Sequence, residues 1–370
     1  MTSSPISLSF EVTYMRDMER GERIQEILDR MGLEGVIIFS PENIRYLTGF
    51  SGGEGYLLMR HGEGLLMVDA RYITQAEDET SGCSLLLLEK GIRGVSSKLS
   101  SLGLKRVGFE AESISVTLFG KLQEGVEGVE WIPLTKELER LRGVKTAEEI
   151  LWIQGAVNRA ESALEKIVRM VKPGVREDEL AIQLEYIMRQ EGGEGVAFEI
   201  IVASGPRSAL PHAQPTSRRL KEGDLVLFDF GSRYQGYNSD ESCTFVLGRS
   251  TQEQKTVYHT VLEAHNRALD RVKRGVTLAE IDAAAREHIS DAGHGEHFGH
   301  NTGHGVGLAV HEWPAVGKDS HDVVEEGMVF TIEPGIYIPR WGGVRIEDMV
   351  LVTSGGYEIL TKIPKNLMEL

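Results

Sequence analysis

Short apolar runs alternate with short helical patterns from about Glu22 to Trp131. Arg23–Arg30 carries helical spacing, and Gly35-Val-Ile-Ile-Phe39 is a buried strand. Pro41-Glu-Asn-Ile44 opens a helix that closes near Gly49. Tyr56-Leu-Leu-Met59 and Gly64-Leu-Leu-Met-Val68 pair as strands, and Arg71–Glu79 is helical. Ser84–Leu88, Arg106–Phe109 and Val129–Ile132 complete an α/β sheet domain. It contains no acid–histidine cluster and no glycine motif that would cradle phosphate; Asp69, Arg71 and Tyr72 could reach a neighbouring site but read as solvated surface side chains.

Trp131-Ile-Pro-Leu134 marks the boundary, which divides the chain into domains 1–142 and 143–370. The rhythm then lengthens. Thr146-Ala-Glu-Glu149 is a capping box. Ile150, Ile153, Val157, Ala160, Leu164, Ile167 and Val171 give a long amphipathic helix, ended by Pro173-Gly174. Glu177–Arg189 forms a second helix. Ala197–Val202 and Pro211-His212 lead into the stretch from Leu225 to Asp240, which reads as a hairpin. Closure near Tyr234 and Gln235 places Asp229 opposite Asp240, with Cβ atoms about 5 Å apart. Like charges at that separation raise a pKa or hold a cation.

The pattern then recurs. Val171-Lys-Pro-Gly-Val175 returns as Val272-Lys-Arg-Gly-Val276, and Ala209-Leu-Pro-His212 as Leu308-Ala-Val-His311. Glu222-Gly-Asp-Leu-Val-Leu-Phe-Asp229 returns as Glu326-Gly-Met-Val-Phe-Thr-Ile-Glu333, and Asp240 has its counterpart in Glu347. The order helix, helix, histidine loop, acid-bearing hairpin therefore runs twice. The expected fold is α+β: a smaller N-terminal α/β domain, then a duplicated domain whose halves face each other across a pseudo-twofold axis.

Composition narrows the function. A chain of 370 residues is long enough for two domains, and a net charge of −16 argues against a grip on nucleic acid. No stretch approaches the roughly 18 apolar residues of a membrane span. Met1 to Arg20 has no basic segment followed by an apolar one, so no secretory signal is expected. Only Cys83 and Cys243 are present, too few for a disulfide framework, and a cytoplasmic location fits. Facing hairpins would gather Asp229, Asp240, Glu333 and Glu347, a charge of about −4 that two divalent ions cancel. His304, flanked by glycines, adds an imidazole, which shifts the expected metal from Mg²⁺ or Ca²⁺ toward Mn²⁺, Co²⁺ or Zn²⁺.

Thr302-Gly-His-Gly-Val-Gly-Leu-Ala-Val-His-Glu312, Phe330-Thr-Ile-Glu-Pro-Gly335, Val344-Arg-Ile-Glu-Asp348 and the Asp229…Asp240 pair resemble the pita-bread metallopeptidases, and among them the Xaa-Pro peptidases, aminopeptidase P and prolidase. Asn43-Ile-Arg-Tyr-Leu-Thr-Gly-Phe50 resembles the creatinase-type N-terminal domain. The resemblance implies a dinuclear hydrolase, with Mn²⁺ or Co²⁺ the leading ions and Zn²⁺ a third choice. It implies Asp229, Asp240, His304, Glu333 and Glu347 as ligands, with Asp240 and Glu347 bridging. A hydroxide held between the ions would attack the peptide bond, with Glu333 relaying its proton. His212 and His311 would flank the substrate as donors, and His300 and Arg345 would face it; the other reading of His300 is a hydrogen-bonded structural histidine, and that of Arg345 a salt bridge to a ligand carboxylate. The expected partner is a peptide with proline at its second position, and the expected assembly a homodimer. Ala309, Cys243, Arg207 and Ser242 stand where the family usually has Asp, Arg, Asn and Thr. Two other readings share the fold: a metal-free creatinase-like amidinohydrolase and a non-catalytic peptide- or protein-binding module. The intact ligand set weighs against both.

Overall fold

A computed structural model describes residues 20–370, and the chain divides into two compact units between Arg142 and Gly143. The segment read above for a secretory signal lies outside the described residues, apart from Arg20.

The first unit is built on a six-stranded mixed sheet in the order Ser84–Leu87, Glu63–Val68, Tyr56–Arg60, Gly35–Ile38, Arg106–Glu110, Glu130–Leu134. Three helices escaped the sequence reading. Ile92–Leu102 is rich in serine, a weak helix former, and buries only Val95, Ser96 and Leu99. Val116–Glu124 buries Leu122 alone, while Ser115 caps it by accepting from Leu118 N. Glu137–Gly143 is too short to show a period. The strand expected at Val129–Ile132 runs over Glu130–Leu134, parallel to Arg106–Glu110, and takes in the segment read as the boundary. Its Pro133 is tolerated because an edge strand has no outer partner for the missing N–H. Arg71 ion-pairs with Asp69 and Glu54 on the exposed surface of this unit.

The second unit shows the duplication in its backbone bonds. Gly174 N donates to Leu220 O at 2.9 Å, and Gly275 N to Val324 O at 3.0 Å. Gly223 N donates to Leu247 O at 2.6 Å and Gly327 N to Val352 O at 2.9 Å. Gly174 and Gly275 sit at φ 91° and 92°, a left-handed turn that needs glycine in both copies. Helices Ala147–Val168 and Glu177–Gln190 open the first half, Gln252–Leu269 and Leu278–Asp291 the second. Each half has its own core, one around Leu164, Leu184 and Phe228, the other around Val261, Ile281 and Phe330.

The first hairpin differs from expectation by a register step. It turns at Gln235 and Gly236, so Asp229 pairs with Ser242 rather than with Asp240. Because Asp240 is two residues from Ser242, it keeps the same face and becomes a diagonal neighbour of Asp229. A shift of one residue would have turned it away.

Candidate metal centre

Four of the five sequence-predicted donors sit at or beside the end of a strand, and the fifth lies within one. Asp229 lies near the end of Leu225–Phe230, and Asp240 immediately before Glu241–Val246. His304 is central in Gly303–Gly305, Glu333 follows Val329–Ile332, and Glu347 lies between Gly342–Arg345 and Asp348–Thr353. The glycines beside His304 are forced by close approach. A Cβ at Gly303 would stand 1.8 Å from Thr331 O, and one at Gly305 2.4 Å from Trp313 O.

The donors converge. Donor atoms of Asp229, Asp240 and Glu347 lie within 4.8 Å of one another, as do those of His304, Glu333 and Glu347. His304 Nε2 stands 3.5 Å from Asp240 Oδ2 and 3.3 Å from Glu333 Oε1. Burial first, then the charges of Glu347, Asp229 and Glu333, push Asp240 well above the usual carboxylate range. Glu347 is raised the same way, by burial and then by Glu333 and Asp229. Burial also acts to raise Glu333, but the bond and charge of His304, with His300 and Arg345, hold it down at about 2. Crowding acids in a dry site is unfavourable unless a cation joins them. Asp229 Oδ1, moreover, is buried without any hydrogen-bond partner. An oxygen-rich donor set with one imidazole and an orphaned carboxylate oxygen fits divalent metal.

Surrounding side chains hold the acids in place, and most of these were not predicted. Arg345, 3 % exposed, commits its guanidinium: Nη2 to Asp229 Oδ2, Nε to Ser242 Oγ at 2.8 Å, Nη1 to Tyr337 Oη at 2.9 Å and Pro211 O at 3.1 Å. Ser242 Oγ in turn donates to Glu347 Oε2 at 2.7 Å. Arg345 thus orients two of the acids and has its charge buried against them. Thr331 Oγ1 donates to Glu333 Oε1 at 3.1 Å and accepts from His304 N at 3.1 Å. Asp282, paired with Arg286, accepts from Thr302 N and Oγ1 and fixes the loop that leads to His304. Ser242 was visible in the sequence as a departure next to an acid. Tyr337, Thr331 and Asp282 carried no local signal.

The centre opens into a cleft of about 510 Å³. His212 and His311 line it, both exposed, and the His311 ring lies 4.3 Å from that of His304. His311 also comes within donor distance of Asp240 and His304. His300 lines the cleft with both nitrogens engaged, Nδ1 at 2.7 Å from Asn301 O and Nε2 at 2.9 Å from Tyr337 Oη. A carbonyl beside Nδ1 requires N–H there, so Tyr337 donates to Nε2, and burial lowers the histidine's pKa. His300 therefore presents ring surface to the cleft. Phe198, Ile200, Ile201 and Pro211 supply an apolar wall, and Glu199 and Gln214 its polar rim.

Fold and donor set together define a metal-dependent hydrolase of the pita-bread class. Residues 152–354 match Metallopeptidase family M24 and residues 20–144 match the Creatinase/Prolidase N-terminal domain; the chain belongs to family M24. It is 38 % identical to an Xaa-Pro dipeptidase of Pyrococcus furiosus over 95 % of this chain and 99 % of that one. Among solved structures, an Xaa-Pro dipeptidase from Bacillus anthracis is 39 % identical, with a TM-score of 0.92 over 96 % of this chain and 100 % of that one. The prolidase from Pyrococcus horikoshii is 38 % identical, with a TM-score of 0.91 over 95 % and 100 %. No helix among the described residues is long and apolar enough to cross a membrane.

Proposed function

We propose that this metallopeptidase uses two divalent ions to cleave the bond between an N-terminal residue and proline, in dipeptides or short peptides. The observation that carries the two-ion reading is the overlap of two donor triads at Glu347, which between them take in Asp229, Asp240, His304 and Glu333. Asp240 also lies within donor distance of His304, so Asp240 and Glu347 would be the acids that serve both ions. When bound, such ions polarise a peptide carbonyl and make water acidic enough to act as a nucleophile at neutral pH. Proline at the second position is supported by the relatives named as Xaa-Pro dipeptidases, and the apolar wall of Phe198, Ile201 and Pro211 suits a pyrrolidine ring.

Glu333 would take the proton of the attacking water and deliver it to the leaving nitrogen, since it belongs to the donor set and lines the cleft. Thr331 fixes the orientation of its carboxylate. His212 and His311, related by the internal repeat, line the cleft and would donate to a tetrahedral oxyanion or departing nitrogen. Ala substitution of either lowers kcat by about 10²-fold with metal content kept near that of the wild type. His311 carries the sharper test: metal lost in proportion to activity would make it a ligand, as its distance from Asp240 allows.

Exhaustive chelation should abolish hydrolysis, and Mn²⁺ or Co²⁺ should restore it. Elemental analysis alongside assays of Xaa-Pro, Xaa-Pro-Xaa and Xaa-Ala substrates tests the proposal as a whole. Full turnover with no metal detected would remove the ions from the reaction, and equal cleavage of Xaa-Ala would remove the proline preference.

A further inference from the structure

Behind the carboxylate centre lies a second buried charge cluster that the reaction above does not use. Side chains alternate along a strand. Ser242 and Thr244 turn toward the centre, where Ser242 bonds Glu347 and Thr244 Oγ1 donates to Arg345 O at 2.9 Å. Glu241 and Cys243 turn the other way, and there they meet Lys365. Its ammonium ion-pairs with Glu241 Oε1 and lies 3.5 Å from Cys243 Sγ and 3.4 Å from Asp348 Oδ1. Asp348 directly follows Glu347, and its Oδ2 is 3.2 Å from His265 Nε2. The side chains of Glu241 and Asp348 are 2 % and 5 % exposed and that of Lys365 10 %.

Each acid assigned to serve both ions is therefore followed by a second acid turned to the back. Asp240 and Glu241 come from the first half of the repeat, Glu347 and Asp348 from the second, and one ammonium joins the pair behind. Lys365 is itself anchored: Tyr258 Oη donates to Lys365 O at 3.0 Å, and Leu370 N donates to Val246 O at 2.9 Å, laying residues 365–370 beside the strand that carries Glu241.

We propose that Lys365 is a positioning residue for the metal centre: it straps the two acid-bearing hairpins together from behind and so sets the spacing of Asp240 and Glu347. This rests on the two-ion reading. Without the ammonium, the link between Glu241 and Asp348, and through it between the two hairpins, is gone. Parting them moves the neighbouring ligands with them. Groups that orient metal ligands from outside are typically worth about 10–100-fold in metal affinity.

The test titrates the full-length, metal-stripped protein with Co²⁺, reading affinity by calorimetry and ligand geometry by visible absorption. Lys365→Met is expected to bind about 10–100-fold more weakly, with an altered spectrum. Lys365→Arg, which returns the charge, recovers most of the affinity and the spectrum. Unchanged affinity and spectrum in Lys365→Met, even with a lowered Tm, overturn the proposal, as does a loss that Arg does not relieve. Should Lys365→Met not fold, the reading passes to Glu241→Gln/Lys365→Met, which removes the same link without leaving Glu241 charged and unpaired. That variant is expected to bind Co²⁺ about tenfold more weakly than the wild type, and wild-type affinity there overturns the proposal. A wild-type protein that takes up no Co²⁺ overturns the two-ion reading beneath it, an outcome the wild-type arm shows by itself.

Discussion

Glu333→Gln lowers kcat by about 10³-fold, within the range general acid–base groups contribute, while metal content falls much less. Glutamine keeps the length of the side chain and one oxygen for an ion, but it cannot accept and return a proton. The bond from Thr331 Oγ1 to Glu333 Oε1 can survive the change, so the side chain keeps its place. Asp229→Asn shows the opposite emphasis. Its Oδ2 is held by Arg345 and its Oδ1 is the orphaned atom, so the amide leaves Arg345 facing a neutral group and weakens the donor set. Occupancy falls first, and excess Mn²⁺ or Co²⁺ recovers part of the activity. Metal content and kcat measured across one metal titration separate the two roles. If excess metal fully rescues Glu333→Gln, Glu333 is a ligand only, and the proton must travel by another group.

Arg345→Met destabilises the metal-free protein by about 3–5 kcal/mol, the range for removing one partner of a buried ion pair. The Arg345 side chain is 4 % exposed and its guanidinium is in direct contact with Asp229, in a site that also holds Asp240, Glu333 and Glu347. Its loss leaves these acids with less to offset their repulsion and also frees Ser242, the hydroxyl that orients Glu347. Saturating divalent metal supplies positive charge to the same acids and stabilises the folded state by mass action. The loss of Tm should therefore shrink when metal is added. Thermal melts with and without Mn²⁺ decide the matter: an equal loss in both conditions would detach Arg345 from the electrostatics of the centre.

Arg345 and His300 each had two readings in the sequence: facing substrate, or, for Arg345, a salt bridge to a ligand carboxylate and, for His300, a hydrogen-bonded structural histidine. Both line the cleft, but Arg345 has its guanidinium committed to Asp229, Ser242, Tyr337 and Pro211, and His300 has both nitrogens bonded. Nearness along the chain places a residue close to a site without saying which atoms remain free there. The register of the first hairpin shows a similar limit. A turn at Gln235-Gly236 instead of Tyr234-Gln235 changes every cross-strand partner, yet the face on which Asp229 and Asp240 lie survives.

Much of the centre was legible from residues 143–370 alone. The two copies of the helix, helix, histidine loop and hairpin pattern are local in sequence, and each repeats the glycine turn and the acid at corresponding places. Periodicity and turn chemistry act over a few residues, so a linear reading can follow them. The five donors, the capping box that opens the first long helix and the duplicated order were therefore open to it. What holds the donors was not. Arg345 reaches Asp229 across 116 positions, Ser242 reaches Glu347 across 105, and Lys365 reaches Glu241 across 124. Contacts of that range leave no period and no spacing in the chain. They exist only once two separately cored halves have packed and brought their acid-bearing edges together, which is a decision of tertiary structure.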